Sequence, residues 1–486
     1  MFDAAIIGCG ITGAALAFEL SRYKLKILIL EKENDVSQGA SKANSGIIHA
    51  GYDPMPGTKM AALNVEGARL AEELCQNLDV EYKKCGSLVL AFSAEEEKTL
   101  ELLYNQGVEN GVPELEIIRG EAIRKLEPNV SGKATAALYA PGAAVVIPWD
   151  YVLALAETAV QNGAELRLNA EVSAVEKTGG FYKIKCGNKK DEIEEIESRF
   201  VLNAAGVNSA EIHNMIAPPN FKITPNRGEY YLLDKAQAKI ASRVIFQCPN
   251  EKGKGVLVST TAHGNIIIGP DSSDVSDGEN TATSLRGLAY VAETARKSVP
   301  SLDFRANIRN FSGVRANPDS GDFIIQEAEG APGFIDLAGI KSPGLSAAPA
   351  IAKLAVSMLE QSGLALIKKE NFIYTRRKIR FANLSEKDKQ TLVRENPNYG
   401  RIICRCETVT EGEILDALRS PIIPRSIDAV KRRCGAGLGR CQGGFCSPRV
   451  TELISKELCI NPLELEQDRS GSYIFTSETK GGGKDA

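Results

Sequence analysis

The stretch that most limits how this chain can fold is its first 32 residues. Asp3-Ala-Ala-Ile-Ile7 is a short apolar run with the character of a buried parallel strand. Gly8-Cys-Gly10-Ile-Thr-Gly13 follows at once, then an Ala/Leu-rich segment to about Leu20 with helical spacing. Lys26-Ile-Leu-Ile-Leu30 reads as a second buried strand and ends on Glu31. In such a crossover the first glycine permits the tight turn, the second lets backbone approach a pyrophosphate, and the third brings the helix against the sheet. The pyrophosphate then meets free N–H groups at the positive end of the helix. Glu31 comes 23 residues after Gly8 (31 − 8), where a carboxylate can accept both hydroxyls of a ribose. A lone GxGxxG is weak, but flanked correctly on both sides it predicts a bound dinucleotide rather than an empty glycine turn.

A chain of 486 residues has room for two to four domains of about 150 residues each. Its net charge of −4 carries no footprint of a nucleic-acid binder. No apolar run approaches the ~18–20 residues that span a bilayer. An N-terminus that enters a strand at Asp3 reads as neither signal nor transit peptide, so a cytoplasmic location is expected. Eleven cysteines in such a setting argue against a disulfide framework, and five of them crowd between Cys404 and Cys446.

Helices are expected over 57–78, 94–107, 149–162, 283–298 and 345–359, with a short one at 121–126. Strands are expected at 82–92, 165–168, 172–176 and 200–206. Arg227-Gly-Glu-Tyr-Tyr-Leu-Leu233, Gly255–Ser259, Asn265–Gly269, Asn310–Ala316 and Phe323–Gln326 read as a mainly antiparallel sheet, and Phe334–Ala338 as a last buried strand. The basic and charged residues 366–400 read as a linker, and the tail over 466–486, with Gly481-Gly-Gly-Lys-Asp, as flexible. Cys404-Arg-Cys406 and Cys441-Gln-Gly-Gly-Phe-Cys446, 34 residues apart, offer four thiolates in two tight pairs, as a [2Fe-2S] cluster requires. A structural zinc on the same thiolates is the alternative. Cys434 reads as a spare, and Cys9, Cys75, Cys85, Cys186, Cys248 and Cys459 as packing residues.

The motif order Gly8-x-Gly-x-x-Gly13, Ala40-Ser-x-x-Asn-Ser-Gly46, Asn203-Ala-Ala-Gly206 and Gly339-Ile-x-Ser-Pro-Gly344 resembles the D-amino-acid-oxidase-like flavoproteins over roughly residues 1–365. Asn44-Ser-Gly-Ile-Ile-His-Ala-Gly51 and Gly339-Ile-Lys-Ser-Pro-Gly-Leu-Ser-Ala-Ala-Pro349 are similar to L-2-hydroxyglutarate dehydrogenases. The cysteine module resembles that of the anaerobic glycerol-3-phosphate dehydrogenase catalytic subunit, of the bacterioferritin-associated-ferredoxin type. The resemblance implies an α/β fold: a Rossmann-like FAD-binding domain of glutathione-reductase type (1–85, 150–215 and 330–365), with an inserted antiparallel-sheet substrate domain (86–149 and 216–329). A small α-rich [2Fe-2S] domain would follow at 401–465. It further implies FAD as the dinucleotide, with Gly8, Gly10 and Gly13 at its pyrophosphate and Glu31 at its ribose. Ser41, Asn44, Ser45 and Gly46 would follow the pyrophosphate and flavin edge, and Val172 would meet the adenine. Ala205 and Gly206 would line the cofactor, with Gly339, Ile340, Gly344 and Leu345 beside the flavin.

Oxidising a secondary alcohol needs a hydride acceptor and a base for the hydroxyl proton. His49 sits in the loop expected to reach the flavin, and His263 is the alternative base, whereas His213 reads as a surface residue. Arg315 corresponds to an anion-binding position in similar enzymes, and a guanidinium fork suits carboxylate or phosphate. After His49 the chain reads Ala-Gly-Tyr-Asp-Pro54, without the arginine that glycerol-phosphate enzymes place there. The expected enzyme is a dehydrogenase with FAD and one [2Fe-2S] cluster that hands electrons to a redox partner subunit, a flavoprotein or iron–sulfur protein. Architecture favours glycerol 3-phosphate as substrate, motifs favour L-2-hydroxyglutarate, and an amine or imino acid comes third. A non-catalytic electron-transfer subunit is the reading from another class.

Overall fold

The computed structural model describes residues 1–187, 193–249 and 255–478. The Gly481-Gly-Gly-Lys-Asp stretch lies outside them. Strand Phe2–Ile7 pairs in parallel with Ile27–Leu30 on one side and with the long strand Ile193–Asn203 on the other. Helix Ile11–Leu20 crosses between the first two strands. Nine of its ten residues are buried, since helices Pro148–Gln161 and Gly344–Gln361 cover the face turned from the sheet. Leu16 and Leu20 are fully enclosed, each adding about 1.5–3 kcal/mol of hydrophobic stabilisation. Strand Phe334–Ala338 pairs with the C-terminal half of Ile193–Asn203, and a hairpin from Glu171–Thr178 and Phe181–Gly187 pairs with its N-terminal half. Strand Ile324–Glu327, expected in the inserted sheet, pairs with Phe334–Ala338 instead and belongs to this first sheet.

A second, mainly antiparallel sheet of nine strands among the described residues stands beside it. Its two long members, Ile223–Leu233 and Asn307–Pro318, run antiparallel in register from Ile223 opposite Pro318 to Leu233 opposite Asn307. Gly313 lets this pair abut the first unit, because a Cβ there would lie 2.0 Å from the Ala43 carbonyl oxygen.

Residues 366–400 do not form an open linker. Arg376 reaches Asp150 (3.0 Å) and Glu157 (2.9 Å), Lys378 reaches Asp150 (3.0 Å), and Arg380 reaches Asp79 (2.9 Å). Asp150 and Glu157, seven positions apart on Pro148–Gln161, share one helix face and draw the basic segment onto it. Part of the charged stretch is a helix, Glu386–Glu395, capped by the Ser385 side chain. Beyond it, helices Glu411–Leu418, Ile427–Cys434 and Ser447–Leu458 pack around a small apolar core.

This cysteine-bearing unit is fastened to the first sheet's loops by buried charge. Asp35 accepts from Arg432 Nη2 (2.7 Å) and from Arg433 Nη1 (2.8 Å) and Nη2 (2.9 Å). The expectation of a flexible tail from 466 fails for the described part: residues 466–472 are hydrogen-bonded to Asn34, Lys42 and Gln38. No described helix is long and apolar enough to cross a membrane.

Candidate active site

Two cavities meet at Ile11, Ala40, Ser41, Ala43, Gly313 and Ile340. The first, of about 560 Å³, follows the opening crossover. Gly8, Gly10, Glu31, Ser41, Val172 and Ala205 line it, as does Gly206. Gly8 holds a left-handed φ of +96°, and a Cβ on Gly13 would sit 2.0 Å from the Gly8 carbonyl oxygen. Gly13 therefore lets the helix approach the turn and is not itself part of the wall. The helix begins at Gly10 with no side-chain cap, leaving its first-turn N–H groups for a ligand, while Ile11 N donates to Ser41 Oγ at 2.9 Å. Cys9 N donates to Glu31 Oε2 (2.8 Å) and Glu33 N to Oε1 (3.0 Å). Burial nevertheless lifts the Glu31 carboxyl to about 7, outweighing those two bonds. An uncapped helix start, glycine-bared backbone and a buried acid at the ribose position fit a dinucleotide.

The second cavity, of about 740 Å³, opens between the two sheets. Asn44, Ser45, Gly344 and Leu345 line this cavity rather than the first. Gly46 and Gly339 line neither: Gly46 passes 2.4 Å from the Val146 carbonyl oxygen by the same Cβ measure, and Gly339 packs against Pro318. Their positive φ values, +68° and +64°, shape the two loops instead. His49 lies in the wall, its N–H donating to Ser346 Oγ (2.8 Å), its Nε2 3.4 Å from Ser342 Oγ, and its ring stacked on Phe246 at 5.9 Å. Helix Gly344–Gln361 also starts here without a side-chain cap, so its positive end adjoins the point where the cavities join.

Arg315 lines the same cavity. Its Nε donates to Asn226 O (3.4 Å), and its Nη2 to Arg227 O (3.3 Å) and Asp271 O (2.9 Å). Gly228 makes room, since a Cβ there would lie 2.7 Å from Nη2. Three of five guanidinium donors are thus held by carbonyls, which fixes the plane and leaves Nη1 for a ligand. Arg227, Arg286 and Lys341 also line this cavity, against one carboxylate, Asp271, among the described residues. Sequence reasoning did not single out Arg286, Lys341 or Asp271: no motif marks the start of helix Leu285–Ser298 or the end of strand Ile266–Gly269 as a cavity wall, and Lys341 sat unremarked inside the Gly339–Gly344 motif.

His263 does not join them. It lies in the turn between Leu257–Thr260 and Ile266–Gly269, with Nδ1 3.5 Å from Glu81 Oε2, and burial draws its pKa down. The opposite end of Ile266–Gly269 leads into Pro270 and Asp271 at the cavity, so the strand's length separates His263 from it. His213 is not on the surface: it is fully buried, with Nδ1 2.7 Å from Asp336 Oδ2 and Nε2 donating to Pro218 O at 3.1 Å. Asp336 Oδ1 accepts from Asn203 Nδ2 (2.8 Å), which steadies the start of the 203–206 loop beneath the dinucleotide cavity.

The four cysteines pair across the module. Cys406 Sγ and Cys441 Sγ are 3.5 Å apart, and the Cys446 thiol donates to Cys404. That bond, with backbone N–H groups of Gly437 and Glu407, brings Cys404 down to about 6 against the opposing effect of burial. Gly439 lets the pairs close, since a Cβ there would lie 2.3 Å from Cys406 Cβ. Cys434 Sγ instead donates to Val430 O (3.3 Å), and burial pushes its thiol up to about 12, so it stands apart from the set. Cys459, expected to pack, is exposed at the end of helix Ser447–Leu458. Gln442, next to Cys441, lines the dinucleotide cavity and accepts from Arg309 Nη1 at 3.1 Å.

Comparison with known proteins accounts for both halves of this arrangement. Residues 3–358 match the DAO family, FAD dependent oxidoreductase, and residues 402–456 match the BFD-like [2Fe-2S] binding domain. The chain is 48% identical over 481 residues to a glycerol 3-phosphate dehydrogenase of Caloramator mitchellensis, covering 99% of each. It is 34% identical over 285 residues to the mitochondrial L-2-hydroxyglutarate dehydrogenase of Homo sapiens, covering 56% of this chain and 61% of the relative. The solved structure of L-alpha-glycerophosphate oxidase from Mycoplasma pneumoniae with FAD bound superposes with a TM-score of 0.73 at 32% identity, over 77% of this chain and 98% of that one.

Proposed function

Since the chain belongs to the DAO family of FAD-dependent oxidoreductases and carries a BFD-like [2Fe-2S] domain, we propose that it oxidises glycerol 3-phosphate to dihydroxyacetone phosphate. Its reducing equivalents would pass on to a partner protein. The observation that carries this reading is the 48% identity to a glycerol 3-phosphate dehydrogenase of Caloramator mitchellensis, which runs through 99% of both chains.

Bound FAD would supply a hydride acceptor, and a cluster held by Cys404, Cys406, Cys441 and Cys446 would carry single electrons onward. The remaining work falls to side chains. Arg315, its plane set by three carbonyls, holds the phosphate through Nη1. His49 Nε2 takes the proton from the substrate hydroxyl as the hydride departs, and Ser342 Oγ orients that ring edge. Tyr230 and Phe246 keep water from the reacting carbon. Gly8, Gly10, Glu31, Ser41, Val172, Ala205, Gly206 and Ile340 hold the cofactor, with Asn44, Ser45, Gly344 and Leu345 at its reacting end.

The crossover sheet is assigned to the glutathione-reductase type, with the nine-stranded sheet as the substrate domain. A cytoplasmic setting is part of this reading. The acceptor is a redox subunit reached from the exposed Cys406 face, in a hetero-oligomer. L-2-Hydroxyglutarate is the second reading, favoured by the 34% identity over the motif-bearing 285 residues. The test is anaerobic mixing of purified protein with glycerol 3-phosphate, L-2-hydroxyglutarate and amino acids. Loss of flavin absorbance with glycerol 3-phosphate at the lowest concentration is expected, and bleaching by L-2-hydroxyglutarate alone overturns the assignment.

A further inference from the structure

The dinucleotide cavity has a wall that the crossover does not supply. Asp468 and Arg469 line it, from a part of the chain more than 100 positions beyond the 3–358 span of the oxidoreductase family. Residues 466–472 form a tight loop closed by Gln467 N donating to Ser472 O (2.7 Å), Asp468 N to Ser472 Oγ (2.9 Å) and Gly471 N to Glu466 Oε1 (2.7 Å). Both ends root in the cysteine module. Leu465 is fully buried in that module's core, Ile474 N donates to Leu465 O, and the first N–H groups of helix Ile427–Cys434 donate to Glu466 O and Gln467 O.

The outer face of the loop makes four contacts on and beside the wall of the cavity. Asn34 Nδ2 donates to Glu466 Oε2 and to Asp468 O, both at 2.7 Å. Lys42 Nζ lies 2.9 Å from Asp468 Oδ2. Ser470 Oγ donates to Asn169 Oδ1 at 3.1 Å. Arg469 spans the opening, with Nη2 donating to Gln38 O (3.1 Å) and Nη1 to Glu279 Oε2 (2.7 Å). Glu279 sits on the opposite lip, where Lys32 also bonds it. One guanidinium thus ties the loop after the first sheet's second strand to a loop of the other sheet, across the cavity between them.

We propose that residues 466–472 are a cofactor latch: they complete the dinucleotide site, so that retention of FAD and docking of the iron–sulfur module are one coupled equilibrium. The inference rests on FAD as the occupant of the cavity. A ligand enclosed by two docked parts stabilises their docking, and by reciprocity docking slows the ligand's escape.

The test follows FAD release from the purified holoenzyme, by recovery of free-flavin fluorescence after dilution, without substrate. Arg469→Ala and Glu279→Gln remove opposite ends of one contact. Each is expected to speed release by about two- to fivefold, the worth of a half-exposed charged bond. Because Arg469 also holds Gln38 O and Glu279 also holds Lys32, the double variant should release faster than either single one but by less than the product of their effects, and Arg469→Lys should be intermediate. Iron content and thermal midpoint, measured alongside, report whether the module still folds. In the reciprocal arm, stripping FAD from the unmodified protein should raise hydrogen exchange in residues 427–434. Unchanged release in both single variants, or additive effects in the double, overturns the latch. A wild-type protein that retains no FAD refutes the functional assignment instead.

Discussion

Replacing Asp35 by alanine tests what holds the cysteine module to the oxidoreductase unit. The carboxylate is 1% exposed and takes three N–H donors from Arg432 and Arg433, whose side chains are 2% and 3% exposed. Removing one partner of a buried ion pair costs about 3–5 kcal/mol, because the other is left charged and dry. Arg432 keeps Asp428, and Arg433 keeps Glu157 at 3.7 Å, so the lower end of that range, about 3 kcal/mol, applies here. A second route gives a similar size. Burial by itself would raise the Asp35 carboxyl, yet the two guanidinium groups hold it at about 2, against an ordinary 3.8. A depression of that size corresponds to about 2 kcal/mol of stability. Since the folded value is the lower one, this stability is present above pH 3.8 and lost as pH falls towards 2. Urea unfolding of wild type and Asp35→Ala at pH 7, followed by visible absorbance and far-ultraviolet circular dichroism, measures the difference. A loss below about 1 kcal/mol, at the level of a surface pair, refutes the argument that this contact is the fastening.

Arg315→Ala should raise KM for glycerol 3-phosphate by about 10- to 100-fold with a smaller change in kcat, as expected for one charge-assisted contact to the anion. Steady-state kinetics with an artificial acceptor reads both constants, and an unchanged KM removes Arg315 from phosphate binding. The affinity of the apoprotein for FAD should fall as pH drops through about 7, because Glu31 must ionise to accept ribose hydroxyls and burial raises its folded pKa to that value. The sign for the apoprotein's own stability is the reverse: this group's contribution is complete below 4.5 and lost as pH rises through 7. Titration of flavin fluorescence between pH 5.5 and pH 8.5 checks the first, where a flat profile refutes it. Cys441→Ser should lose most of the bound iron and Cys434→Ser none, because only the first thiol belongs to the paired set. Iron analysis and the visible spectrum decide it.

Much of the dinucleotide site was legible because its chemistry is written at short range. Gly8, Gly10 and Glu31 lie on one crossover, and strand and turn geometry place them together without help from distant chain. Gly13 was legible in its duty of bringing the helix close, but Gly46 and Gly339 were legible only as required glycines, since close approach to backbone and close approach to a ligand leave the same mark in a sequence. The histidines show the same limit. His49 and His263 each flank a strand, and nothing local says which end of a strand meets a cavity. His213 stands on a short helix with no motif near it and so read as a surface residue, yet Asp336, 123 positions away, partners it in the core.

Residue type and spacing therefore settled the two chemistries of this chain, a dinucleotide crossover and a four-thiolate centre. Both are built from neighbours along the backbone, where a few dihedral angles and a fixed rise per residue govern geometry. How the two are joined was beyond that reach. Asp35 meets Arg432 across 397 positions, and Arg469 meets Glu279 across 190. Many acids and bases in a chain this charged could have satisfied one another, and only the packing of both sheets and the module around shared walls selects these pairs.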